Sequence, residues 1–163
     1  MRLFFCSKCR QPFPAVQSCP RCQISTDAKA NNYLEKLLES VLSKETSRAG
    51  MAVDVLTKWL HEPRAIVPLT MLLERSGDDP YPLVLGARGL GWLRDAAAVP
   101  ALGKLVLNES QPYVARVAAA EALGQIGGKE SRHVLEQARK SLRPSVAEAS
   151  ARALEKLKEI EQD

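Results

Sequence analysis

"PYPLVLGARGLGWL" at residues 80–93, "PYVARVAAAEALGQI" at 112–126 and "PSVAEASARALEKL" at 144–157 are three versions of one phrase. Their prolines, Pro80, Pro112 and Pro144, stand 32 residues apart. A second phrase recurs at the same interval: "AIVPLTMLL" (65–73) returns as "AAVPALGKLV" (97–106), carrying Pro68 and Pro100. A period of about 20–50 residues marks a solenoid, because a unit that short cannot bury its own apolar face and must stack on its neighbour.

Each unit reads as two helices. Pro80, Pro112 and Pro144 suit the first turn of a second helix, where the missing N–H costs nothing. Asp95 is placed to cap the first helix of the following unit by accepting from free backbone donors. Aligned on their leucines, the second helices superpose Leu90, Leu123 and Leu154, with Leu93, Ile126 and Leu157 three residues on and Ala87, Ala120 and Ala151 three residues before. Spacing of three and six residues describes one buried helical stripe, and its small members let helices approach closely. The expected helix pairs fall at about 28–61, 64–94, 96–127 and 129–161.

The pattern resembles the HEAT repeat, in particular the short HEAT-like type of phycobilin lyase subunits. The resemblance covers residues 63–160 well and 28–62 loosely, and implies an all-α, right-handed α-solenoid of about four helix pairs. The last unit departs from it, with Arg132 in place of the first-helix proline and Glu155 in place of the glycine that follows leucine at Gly91 and Gly124. Atypical terminal units are usual in repeat arrays.

All four cysteines lie in "CSKCRQPFPAVQSCPRCQ", residues 6–23. Two Cys-x-x-Cys turns, Cys6/Cys9 and Cys19/Cys22, can converge four thiolates on one ion at tetrahedral geometry, a closed structural zinc site with no position left for a reactive water. A segment this small has no core, so metal binding would drive its folding. The stretch resembles a short bacterial zinc ribbon; rubredoxin-like sites join their cysteine pairs by a longer insert, and a redox dithiol would need no second pair. One structural zinc is therefore expected, with residues 1–27 as a zinc-ribbon head and 28–163 as the solenoid.

Charge is placed unevenly. Residues 1–30 hold five Lys/Arg against Asp27 alone, and the remaining 18 Lys/Arg and 18 Asp/Glu cancel, so the whole formal +4 sits on the head. A neutral body with a weakly basic head is a poor nucleic-acid footprint. No apolar run approaches a membrane span, and the start "MRLFFCSKC" lacks the apolar stretch of a signal peptide, so the expected compartment is the cytoplasm.

Local catalytic motifs are missing: there is no Gly-rich phosphate loop, no nucleophile elbow and no paired carboxylates beside a base. His61 and His133 each fall near a helix end or loop and read as solvated or capping residues. No catalytic residue, small-molecule substrate or membrane partner is implied, and the expectation is a protein that is not an enzyme. The second helices of such arrays line the concave face. If Leu90 and Leu93 point inward, Arg88, Glu121 and Arg152 form one outward row, and Trp92, Gln125 and Lys156 the next. With Trp92 as anchor, these six make a candidate surface for a protein partner, since Trp and Arg dominate binding hot spots. Trp59 aligns with Trp92 in one register and with Leu93 in another. The leading expectation is a scaffold or adaptor that binds a protein on its concave face. The alternatives are a nucleic-acid-binding accessory using Arg2, Lys8, Arg10 and Arg21, and a lyase-like enzyme or enzyme subunit.

Overall fold

Proline and acidic caps set the helix starts. The structure, a computed structural model, describes residues 3–5, 12–14, 28–74 and 79–160. Pro80 and Pro112 occupy the cap positions of their helices and Pro144 is the first residue of its own. Asp95 accepts from the backbone N–H of Ala97 at 2.9 Å, as its position predicts. Glu62 does the same for the N–H of Arg64 at 3.1 Å and also holds the Arg64 side chain.

Eight α-helices result among the described residues: α1 (Ala28–Val41), α2 (Thr46–Asp54), α3 (Ile66–Leu73), α4 (Tyr81–Leu93), α5 (Val99–Leu107), α6 (Tyr113–Ile126), α7 (Gly128–Ala138) and α8 (Pro144–Ile160). Short 3₁₀ turns, Pro63–Ala65 and Ala96–Ala98, lead into α3 and α5, and α2 continues into a π-helical turn, Val55–Trp59. The helices fall two by two into the intervals that the period predicts. None is long and apolar enough to cross a membrane.

The chain divides into two compact units between Leu37 and Leu38, within α1. In the first, strands β1 (Leu3–Phe5) and β2 (Pro12–Pro14) pair antiparallel, with Leu3 opposite Pro14, Phe4 opposite Phe13 and Phe5 opposite Pro12. The segment joining them contains Cys6 and Cys9. All four cysteines expected to bind zinc lie outside the described residues.

The second unit is a layered helical array. Each second helix packs on its own first helix, α4 on α3, α6 on α5 and α8 on α7, while α4 packs on α6 and α6 on α8. The seam between second helices is lined by small residues. A Cβ added at Gly91 would lie 2.9 Å from the Cα of Ala122, and one at Gly124 would lie 2.8 Å from the Cβ of Ala153. The glycine after leucine is thus a contact requirement. Glu155, its counterpart on α8, is exposed. Ala87, Leu90, Ala120 and Leu123 are fully buried, and Leu154 and Leu157 nearly so; Leu93, Ile126 and Ala151 are half-buried.

This seam makes a prediction. Gly124→Val should destabilise the array by about 1–3 kcal/mol through overpacking, whereas Glu155→Val, at the matching exposed position, should change stability by about 0.5 kcal/mol or less. Urea melts of the two variants compare these values.

Candidate functional site

Burying Leu90, Leu123 and Leu154 turns the opposite side of each second helix outward. Arg88, Glu121, Arg152, Gln125 and Lys156 are all exposed there. Trp92 differs: it is half-buried, with the Lys58 ammonium 3.9 Å from its ring centroid. Such a cation over an indole face contributes about 0.5–1 kcal/mol at a surface site. Lys58 also pairs with Asp54 at 3.0 Å.

The exposed indole is Trp59, at 79% of its full accessibility. Its position follows from the π turn, in which the N–H of Leu60 bonds to the carbonyl of Val55 at 3.0 Å. The wider turn carries Leu56 and Thr57 into the core, where the Thr57 hydroxyl donates to the Val53 carbonyl at 2.7 Å. Lys58 is left to reach Trp92 and Trp59 to face outward. Single π turns inside helices recur at functional sites.

Between α6 and α8 the outward side chains border a groove of about 450 Å³. Gly124, Ala149 and Ala153 lie along it, the first and last being partners in the helix seam, and its rim carries Glu121, Gln125, Arg152 and Lys156. Four of the six sequence-predicted contact residues thus meet at one feature. The fifth rim residue, Arg94, escaped the sequence reading. It ends α4 in the left-handed conformation, φ 51° and ψ 34°, which a non-glycine residue adopts at a cost of about 1–2 kcal/mol. Among the described residues, none of Arg94, Glu121, Arg152 and Lys156 has an ion-pair or hydrogen-bond partner for its side chain.

A second polar cluster serves the fold. Arg116 is 2% exposed. Its guanidinium donates to the Val106 carbonyl at 2.9 Å, to both Glu109 carboxylate oxygens at 2.6 and 2.8 Å, and to the Ser141 hydroxyl at 2.9 Å. Ser141 donates in turn to Glu109 at 2.8 Å, so the loop after α5 is tied to the loop after α7. His133 is exposed and shares a hydrogen bond with Gln137 at 2.9 Å. His61 is exposed, with a positive φ of 47°. No group of three or more His, Cys, Asp or Glu among the described residues is arranged to hold a metal ion.

The comparisons with known proteins agree on the architecture. The family model described as HEAT repeats matches residues 66–155. No curated protein sequence matches the chain. Human deoxyhypusine hydroxylase superposes with a TM-score of 0.66 at 22% identity, over 77% of this chain and 43% of the hydroxylase. The complex of CpcE and CpcF of phycocyanin lyase from Nostoc sp. PCC7120 superposes with a TM-score of 0.54 at 21% identity, over 90% of this chain and 71% of the matched one. The chain therefore spans less than half the length of the hydroxylase.

At these identities the likeness shows the fold, and that fold is at home in enzymes. The expectation of a protein that is not an enzyme is thereby overturned. It rested on missing local motifs, and a solenoid assembles its sites from side chains one repeat apart, which no contiguous motif marks.

Hydrogen bonds from Arg116, then from Ser141, hold the Glu109 carboxyl below its ordinary value of 4.5. A carboxylate with a depressed folded-state pKa adds stability above its unfolded pKa, and that contribution is lost as pH falls through the folded value. Thermal melts should thus show a stability loss below pH 4.5 that is smaller in Glu109→Gln; an unchanged acid limb would mean that the cluster contributes nothing to acid sensitivity.

Proposed function

The chain belongs to the HEAT repeat family, and on that premise we propose that it works in an enzyme system, as a lyase-like subunit whose second-helix face holds a protein. The observation that carries this reading is the continuous outward surface of α4, α6 and α8, with its unpaired rows of Arg88, Glu121 and Arg152 and of Gln125 and Lys156 and the groove between them. A rigid helical array presents such a surface without ordering cost, and preorganisation raises affinity by avoiding that cost. Exposed Trp59 and half-buried Trp92 add aromatic area, the chemistry of interface anchors.

Neighbours of the same fold support the enzymatic setting. One is a hydroxylase, and the other is a complex of two chains of a lyase. The second favours a subunit that acts beside another chain. In this role Arg88, Glu121, Gln125, Arg152 and Lys156 position the bound protein, and Trp92, braced by Lys58, stiffens the surface that receives it.

The head is proposed to carry one structural zinc on Cys6, Cys9, Cys19 and Cys22. The donor set supports this: four thiolates in two Cys-x-x-Cys pairs form a tetrahedral site of the structural kind. Zinc there would fold the head rather than do chemistry.

Purification of the tagged full chain from its own organism tests both statements. The expected result is co-purification with an enzyme whose turnover falls when this chain is removed, together with about one zinc per chain. A chain that elutes alone and whose removal alters no activity would overturn the subunit reading. Iron, or no metal, would overturn the zinc assignment.

A further inference from the structure

The groove between α6 and α8 has a chemistry of its own. Arg94, Arg152 and Lys156 bring three cations to a rim that holds one carboxylate, Glu121, and all four lack partners among the described residues. Like charges gathered at one groove repel one another, and elsewhere the structure shows what this chain does with an arginine it needs for folding: Arg116 is buried against Glu109. Arg94 adds a second sign, since its cation is held at the rim by a left-handed backbone that glycine would adopt without strain.

We propose that this groove binds an acidic segment of a protein, with Arg94, Arg152 and Lys156 taking its carboxylates and Gln125 and Glu121 meeting its backbone. Guanidinium groups match carboxylates by paired, charge-assisted hydrogen bonds. Gln125 offers both a donor and an acceptor, and the Glu121 carboxylate accepts from peptide N–H groups. The small residues along the groove leave room for a main chain to lie close to α6 and α8. Its volume of about 450 Å³ falls within the range of specific binding pockets.

A nucleic acid fits the groove less well. Glu121 would oppose a continuous run of phosphates, and residues 31–163 carry equal numbers of acidic and basic side chains, so the array lacks the extended positive field of nucleic-acid binders. The proposal rests on the reading of this face as a protein-binding surface, and adds the chemistry of what is bound.

Fluorescence anisotropy tests it on the full chain with a short fluorescein-labelled peptide of alternating glutamate and alanine. Its controls are the matching lysine peptide and a single-stranded oligonucleotide. The acidic peptide should bind, and R152E/K156E should weaken it about tenfold or more. K104E/K129E, an equal charge change on exposed positions of α5 and α7, should leave affinity within about twofold. Arg94→Gln approaches the groove from another helix and should also weaken binding, which keeps the test sound if the double variant folds poorly. Absence of binding at low salt, equal losses in the two double variants, or tighter binding of the oligonucleotide through Arg152 and Lys156 would each overturn the proposal. A chain that still co-purifies with its enzyme but ignores the acidic peptide would lose this inference alone and keep the subunit reading.

Discussion

The close approach of α4, α6 and α8 governs the rest of the molecule. At Gly91 and Gly124 there is no space for even a methyl group, because Ala122 and Ala153 of the next helix fill it. A seam this tight fixes the rotation of each helix about its axis: once glycine and alanine face the neighbour, leucines 90, 123 and 154 must fill the core and the intervening charged residues must face out. The groove follows from the same contact, because Gly124 and Ala153 both pair across the seam and line the depression beside it. Fold and candidate site therefore share one packing constraint, and a larger residue in the seam would disturb both.

Such an array separates what a site needs from what folding needs. Arg116 shows a charge used for folding, nearly sealed from water and matched by Glu109, Ser141 and a carbonyl. Arg88, Glu121 and Arg152 show charges that folding leaves free, one on each of α4, α6 and α8 at almost constant spacing. The same division explains why missing catalytic motifs were a poor guide. Side chains one repeat apart can act together on a bound molecule, and solved proteins with this fold include a hydroxylase and lyase chains.

Most of the helical architecture was legible because its signals are periodic. Prolines 32 residues apart located the second helices, and the Leu-Gly pairs located their buried stripe. Departures from periodicity were harder to read. The π turn at Val55–Trp59 adds a residue to one helical turn, so neither simple register assigns Trp59, the most exposed aromatic among the described residues. Trp92 reads from the alignment as an open anchor, but it is half-buried and carries the Lys58 ammonium of the preceding repeat over its ring, a contact that no alignment of helix phrases contains. Arg94 was passed over because a left-handed helix end depends on backbone geometry that a lone arginine does not announce. Arg116 did leave a trace, a charge within "YVARVAAA" where the sister phrases carry Val84 and Glu148, but its partners lie in two separate loops.

Native-state hydrogen exchange measures the governing contact most directly. Amides open at free energies that reflect the local packing holding them closed. Helix α6 is packed by α4 on one side and α8 on the other, in addition to α5. Its amides from Ala118 to Gly124 should therefore exchange last, at the free energy of global unfolding, while the first helices and the final turns of α8 open earlier. If α6 exchanged together with α7 or with the end of α8, the seam of second helices would not be what holds the array together.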